Sequence, residues 1–268
     1  MAEGILDKIM AERRSDAERA MQEVPERALR ERAAGMARRS LRAALAAGAG
    51  SRIIAELKRS SPSAGSIRAG VDPAAVASAY EAAGATGISV LTEPRHFGGS
   101  PADLEAVRAA VSLPVLRKDF ITTPYQVHEA AAWGADVVLL IVAGLAREEI
   151  RPLYMAAVEA GLETLAEVHV PDELALALAC EQAVIGVNSR NLKTLETDLA
   201  VARQMGSLIP ANRLSIAESG IETREDILEL EALGYDGFLV GGSLMRAERP
   251  EEKLRELLGK ENPSECGS

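Results

Sequence analysis

Beyond Arg52 the chain alternates between two patterns. Short, nearly continuous apolar runs rich in Val, Ile and Leu occupy residues 53–58, 87–92, 115–118, 136–142, 164–168, 184–188, 214–218 and 237–240, and between them apolar positions recur at helical spacing. A run that is apolar on both faces belongs to a parallel strand covered by helices, because a half-exposed strand would alternate with polar residues. Helix starts are marked at Asp72-Pro73, Ser100-Pro101 and Thr123-Pro124, where a capping side chain precedes a proline whose missing N–H would be unpaired in the first turn anyway. Thr223 to Asp226 forms an acidic variant of the capping box, and Gly84, Gly134, Gly161 and Gly234 mark helix ends. Eight strand–helix repeats predict an α/β fold, a single (β/α)8 TIM barrel. An open doubly wound sheet usually has fewer strands and a glycine-rich dinucleotide turn, and no G-x-G-x-x-G occurs here.

The first 48 residues differ from the rest. The stripe of Ile5, Leu6, Ile9 and Met10 predicts a helix, with a break near Pro25, further helix to Leu45, and an end at Gly48, Ala49 and Gly50. The expected division is an N-terminal helical extension at 1–48, a barrel at 49–260 and a polar tail at 261–268.

Length and charge narrow the function. With 268 residues there is room for one barrel of the usual ~250 and not for two, and 47% hydrophobic residues suffice for a full core. A formal net charge of −10 argues against a nucleic-acid partner, and the basic residues before Gly48 alternate with acidic ones as on a solvated helix face. No run approaches the ~18 apolar residues of a membrane span, and acids within the first residues speak against a signal peptide. Cys180, in an apolar helical stretch, and Cys266, in the tail, suggest a reducing cytoplasm rather than a disulfide framework or thiolate metal site. His96, His128 and His169 show no metal-ligand spacing and read as surface or core residues, and Trp133 reads as a packing anchor. Arg95, His96 and Phe97 fall in the loop after the second strand, within reach of the barrel mouth.

Catalytic groups in this architecture stand at the C-terminal ends of strands, and there the apolar runs are broken by Glu56, Lys58, Lys118, Glu167, Asn188 and Glu218. Glu56 and Lys58, two positions apart, share one strand face. Any one of the six is also what a solvent-bordering strand end would carry. Together they gather two lysines and three carboxylates at one opening, and buried charges persist only when paired. After the seventh and eighth strands come Ser219-Gly220-Ile221 and Gly241-Gly242-Ser243-Leu244, where backbone N–H groups can approach a phosphate. Ser61, in the SPSAG stretch at 61–65, is a further phosphate candidate. The bland alternatives are a plain Gly-Gly turn and a flexible loop.

In this setting the chain resembles the indole-3-glycerol phosphate synthase family over residues 5–258. The resemblance is carried by Ile54-Ala55-Glu56-Leu57-Lys58-Arg59-Ser60-Ser61-Pro62-Ser63, Leu91-Thr92-Glu93-Pro94, Phe97-Gly98-Gly99, Leu116-Arg117-Lys118-Asp119-Phe120, Glu167-Val168-His169, Gly186-Val187-Asn188-Ser189-Arg190-Asn191-Leu192 and Ala217-Glu218-Ser219-Gly220-Ile221. Ser189 stands where the family often has a second asparagine, and Ser60 where alanine or lysine is common. The resemblance implies ring closure, decarboxylation and dehydration of 1-(2-carboxyphenylamino)-1-deoxyribulose 5-phosphate, with no metal or organic cofactor and an N-terminal helix packed over the barrel. It also implies an anionic small-molecule substrate, a monomer, neither nucleic acid nor membrane as partner, and other tryptophan-pathway enzymes as candidate associates.

Under that resemblance Lys118 is the acid at the ketone oxygen, and Lys58 pairs with the departing carboxylate and is a candidate acid in dehydration. Glu167 is the first choice of proton acceptor, Glu56 orients the lysines, and Asn188 and Glu218 bind a substrate hydroxyl or amine. Ser61, Arg190, Ser219, Gly220, Gly241 and Gly242 form the phosphate and substrate set. Several of these roles remain exchangeable, and whether Lys58 lowers or Glu56 raises the Lys118 pKa stays open. An acidic protein must still admit an anion, so Lys58, Arg59, Lys118 and Arg190 are expected to make the mouth positive. The rival readings are phosphoribosylanthranilate isomerase, which has no departing carboxylate for a second lysine to hold, and a catalytically silent barrel whose N-terminal arm docks a partner.

Overall fold

The computed structural model describes residues 4–47, 50–62, 65–68 and 70–261. Gly48, Ala49, Ser63, Ala64 and nearly all of the expected tail, Cys266 included, lie outside the described residues. Eight parallel strands close into a barrel: β1 (Ile53–Leu57), β2 (Gly87–Leu91), β3 (Val115–Lys118), β4 (Val137–Ile141), β5 (Glu163–Val168), β6 (Val184–Asn188), β7 (Ser215–Glu218) and β8 (Gly237–Val240). Closure is made by β1, which pairs with β2 at Ile54↔Gly87 and with β8 at Ile53↔Phe238. A two-stranded antiparallel pair, Ser60–Ser61 with Gly65–Ser66, stands in the loop after β1.

The strands are largely apolar because both faces are covered. Ile53, Ala55, Ile88, Val90, Val138 and Leu140 face outward to the helical layer, whereas Ile54, Leu116, Leu139, Leu165, Val184, Ile216 and Leu239 fill the barrel interior. That interior cluster continues at both ends into the N-terminal segment. Helix α1 (Ile5–Glu23) contributes Leu6, Ile9 and Met10, and α3 (Leu41–Ala46) contributes Leu41 and Leu45, both 1% exposed. Leu41 and Leu45 reach the first residues of β2 and β8, Gly87 and Gly237, so α3 plugs the N-terminal end of the barrel. Helix α1 lies over the opposite, C-terminal mouth, where Ile5, Leu6 and Ile9 line the cavity.

The expected punctuation recurs in α4 (Pro73–Ala83), α5 (Pro101–Ala110) and α6 (Pro124–Ala132), each with proline in its first turn. The four helix-ending glycines all take positive φ, Gly84 reaching 103°. The layer is completed by α7 (Arg147–Glu159), α8 (Pro171–Leu178), α9 (Ala200–Gly206), α10 (Arg224–Ala232), α11 (Gly242–Arg246) and α12 (Pro250–Leu257).

Three expectations need correction. The break near Pro25 is present, but the helix that follows does not run on to Leu45: α2 (Glu26–Ala33) ends before Gly35, which has φ of 77°, and residues 36–40 are irregular. There the Arg39 N–H donates to Asp136 and the Arg39 guanidinium to the Leu113 carbonyl, anchoring the connection to the barrel base in place of helical bonds. The fourth strand stops at Ile141, because Val142–Gly144 turn into a 3-10 helix. Cys180 is buried, but it follows α8 rather than lying in it.

Candidate active site

Strand parity decides which polar side chains enter the barrel. Residues Ile54, Leu116, Leu165, Val184 and Ile216 point inward, so the residues two further on, Glu56, Lys118, Glu167, Gly186 and Glu218, point inward one layer nearer the mouth. All twelve candidate residues line one cavity at the C-terminal end: Glu56, Lys58, Ser61, Lys118, Glu167, Asn188, Arg190, Glu218, Ser219, Gly220, Gly241 and Gly242. The cavity has an empty volume of about 1140 Å3, open mouth included.

At its floor Lys118 Nζ lies 3.0 Å from Glu167 Oε2 and 3.1 Å from Glu218 Oε2, and Lys58 Nζ lies 2.8 Å from Glu56 Oε1. Burial works to remove the Lys118 proton, but the charges of Glu167, Glu218 and Glu56 together hold its pKa well above the ordinary lysine value. The carboxylates therefore prevail, and Lys118 is an ammonium. The three acids do not share this field equally. Burial, with Glu167 and Glu56 nearby, pushes Glu218 up to about 7 against the pull of Lys118. Glu167, also buried, is brought below the usual carboxylate value by Lys118 and His169 and by a hydrogen bond with Asn188. Glu56 is likewise lowered despite burial, chiefly by Lys58 and Lys118. Near neutral pH the site thus holds two carboxylates that stay ionised and one close to its midpoint.

Two glycines make this crowding sterically feasible. A Cβ at Gly186, the β6 partner of Glu167, would collide with Glu218 Oε1, and a Cβ at Gly241 would collide with Glu56 Oε1. Asn188 is fixed by the turn that follows it, since its Oδ1 accepts the Arg190 backbone N–H at 3.0 Å. The glycine turns after β7 and β8 are tied to each other, with the buried Ser243 hydroxyl donating to the Ile221 carbonyl at 2.9 Å. Ser219 sits at φ 66° and Gly220 at φ 83°, so the chain bends sharply at the cavity wall.

The roof is held by contacts that no sequence motif marks. Arg13 of α1 forms a two-point pair with Asp119, Nε–Oδ1 at 3.0 Å and Nη2–Oδ2 at 2.8 Å, and Asp119 is the neighbour of Lys118 in the chain. The Asp119 carboxylate also accepts from Thr92 Oγ1 at 2.6 Å and from Arg117 at 2.9 Å, and these cations hold it far below the usual range against burial. Arg117, fully buried, donates to the Gln126 carbonyl and lies 4.3 Å from the centre of the Trp133 ring, so Trp133 packs a guanidinium as well as aliphatic neighbours. The loop after β2 is fastened to the same helix. Buried Glu93 accepts the backbone N–H groups of Arg95, His96 and Phe97, while His96 Nε2 lies 2.8 Å from Glu12 and Arg95 pairs with Asp16. Of that loop trio only Phe97 lines the cavity, 5.8 Å from Phe120 between ring centres.

One electrostatic expectation is overturned. Arg59 does not face the mouth but turns away to Asp103, 2.9 Å from Nη2 to Oδ1. The cavity lining carries Lys58, Lys118, Arg190 and Arg246 against Glu56, Asp119, Glu167, Glu218 and Glu222, so the mouth is not a positive patch. Arg246, which sequence reasoning missed, reaches the Gly242 turn and pairs with Glu222 at 2.6 Å. It sits in a short helix after the last strand with no periodic signal of its own.

Comparison with known proteins comes to the same place. The family model described as "Indole-3-glycerol phosphate synthase" matches residues 6–257. Proteins of that name from Kineococcus radiotolerans and Micrococcus luteus are 47% and 46% identical to this chain. The alignments cover 95% and 94% of this chain, and 94% and 96% of those relatives. "Indole-3-glycerol phosphate synthase 1" of Streptomyces coelicolor is 46% identical over 95% of this chain and 94% of its own length. Among solved structures, thiamine phosphate pyrophosphorylase from Pyrococcus furiosus superposes with a TM-score of 0.58 at 18% identity, covering 81% of this chain and 96% of that one, a likeness of fold alone.

Proposed function

The chain belongs to the indole-3-glycerol phosphate synthase family, and on that footing we propose a division of labour among its cavity residues. The enzyme is a carboxy-lyase that converts 1-(2-carboxyphenylamino)-1-deoxyribulose 5-phosphate to indole-3-glycerol phosphate, carbon dioxide and water in tryptophan biosynthesis. Its substrate is a small molecule, anionic at both ends.

Ring closure joins the arene carbon that bears the carboxylate to the ketone carbon, and negative charge builds on the ketone oxygen. Lys118 supplies that proton. The observation that carries the assignment is its ammonium, held between Glu167 and Glu218 at 3.0 and 3.1 Å on the cavity floor. An alkoxide is more basic than an amine, so transfer remains favourable even from a lysine whose pKa is raised. Lys58 pairs with the substrate carboxylate until carbon dioxide leaves and the ring regains its electrons. Dehydration then needs one proton removed from the new ring and one given to the departing hydroxyl. Glu167, lowered and ionised, takes the first, and Lys58 gives the second. Two protons delivered and one recovered match a decarboxylation that consumes one proton overall. Glu56 orients the lysines, and Asn188 and Glu218 bind the substrate hydroxyl or amine.

The apolar wall of Ile5, Leu6, Ile9, Phe97 and Phe120 suits the aryl ring. Ser219, Gly220, Gly241 and Gly242, with Ser61 and Arg190, receive the phosphate. Gly242→Asp should raise KM sharply while kcat holds, because a carboxylate would replace open backbone at the phosphate end. An unchanged KM would move the phosphate elsewhere. A single chain supplies every one of these groups, which supports action as a monomer. Among the described residues no helix is long and apolar enough to cross a membrane, and we place the enzyme in the cytoplasm. Incubating the purified chain with the substrate should generate indole fluorescence. A flat signal, with phosphoribosylanthranilate isomerised instead, would favour the isomerase.

A further inference from the structure

His169 follows Val168 at the end of β5 and has the same parity as Leu165 and Glu167. Its ring is largely buried, 11% exposed, between two acids. Nε2 faces Glu167 Oε1 at 3.4 Å, and Nδ1 faces Glu173 Oε2 at 3.5 Å. Neither nitrogen makes an aligned hydrogen bond. Glu173, in the first turn of α8, is itself fixed, because its Oε2 accepts the His169 backbone N–H at 2.6 Å. The ring therefore has a carboxylate oxygen at each nitrogen. A neutral imidazole carries a lone pair on one of them and would aim it at a carboxylate oxygen whichever tautomer it adopted, whereas an imidazolium presents N–H to both.

The Glu167 carboxylate is thus bracketed: Lys118 stands at Oε2 and His169 at Oε1. We propose that His169 is a positioning residue for the reaction, an imidazolium anchored by Glu173 that keeps Glu167 ionised and oriented as the proton acceptor. This rests on the assignment of Glu167 as acceptor. The charged groups around the ring are Glu167 on β5, Glu173 on α8 and Glu218 on β7, with Lys118 of β3 beyond Glu167. Burial alone would favour the neutral ring, but these three acids raise its pKa above the ordinary histidine value. In return, the imidazolium lowers that of Glu167.

The chain has only three histidines, so long-range proton–nitrogen spectra of the imidazoles of the full-length enzyme give three signals, and His169→Gln assigns one. That signal should titrate with a midpoint above pH ~6.5 in the wild type, staying doubly protonated below it, and the midpoint should fall in Glu173→Gln. In His169→Gln, which keeps a polar side chain but no charge, the acid limb of kcat should move up by about one pH unit with KM unchanged, since Glu167 loses a cation. A residue that merely packed would leave that limb where it is. A neutral His169 below pH ~6.5 in the wild type overturns the proposal whether or not any variant folds. So does an unmoved limb in a folded His169→Gln. Glu167→Gln with wild-type turnover would remove the acceptor itself and this inference with it, whereas a crippled Glu167→Gln beside an unmoved His169→Gln limb would refute the inference alone.

Discussion

Lys118→Met should lower kcat by at least ~10², the scale of a lost general acid, while the barrel still folds. The side chain enters the cavity from the end of β3 with Glu167, Glu218 and Glu56 around it. Methionine fills similar length but offers no proton to the ketone oxygen, so charge would build on that oxygen unneutralised. It also leaves three buried acids with Lys58 as the remaining lysine, and one or more of them must then take up a proton to stay buried. The variant therefore loses its acid and weakens its base together. Folding should survive, because the interior cluster that closes the barrel runs from Leu41 and Leu45 through Ile54, Leu165 and Ile216 without Lys118. Steady-state kcat with an unchanged circular-dichroism spectrum tests this, and in single-turnover traces carbon dioxide and indole should be slowed together. Turnover near the wild-type rate would take Lys118 out of the mechanism.

The sequence made the strand ends legible for a physical reason. In a barrel covered on both sides every strand must be apolar, so a charge on an inward position stands out, and two-residue parity sends Glu56, Lys118, Glu167 and Glu218 to the same cavity. What stayed hidden depends on side-chain choices that local pattern does not fix. Arg59, adjacent to Lys58, had an equally acceptable partner in Asp103 and took it, which leaves the mouth without the expected excess of cations. The Arg13–Asp119 tie joins residues 106 positions apart, and the stripe of Ile5, Leu6 and Ile9 announced a buried helix face without saying that a substrate cavity buried it. No metal spacing marks His169 in the sequence, and the features that set it beside Glu167 are their shared strand parity and the carboxylate of Glu173 four residues on, which carry no motif of their own.

The acid count of the cavity bears on how an anion enters it. Glu218, pushed up to about 7, sheds its charge more readily than Glu167, and the arrival of a substrate with negative charge at both ends raises the carboxyl pKa values further. Glu218 is the acid that yields, so the site lowers its own negative charge where it costs least and keeps Glu167 ionised for chemistry. This separation of two carboxyl groups on one lysine supports the proposed assignment of Glu167 as acceptor.

Glu167→Gln isolates that role. The amide matches the carboxylate in size and retains an oxygen for Lys118 at Oε2 or for Asn188, but it accepts no proton at neutral pH. kcat should fall by at least ~10² with KM little changed, because the group acts after the substrate is held. The defect should also fall at a different step from that of Lys118→Met. Ring closure and loss of carbon dioxide precede the need for an acceptor, so one turnover of Glu167→Gln should release carbon dioxide ahead of indole fluorescence, leaving the cyclised, still hydrated ring to accumulate. Parallel appearance of the two products at a reduced rate would mean that Glu167 serves ring closure instead, and undiminished turnover would mean that another group takes the proton. Near-identical melting temperatures for the variant and the wild type would confine either result to chemistry.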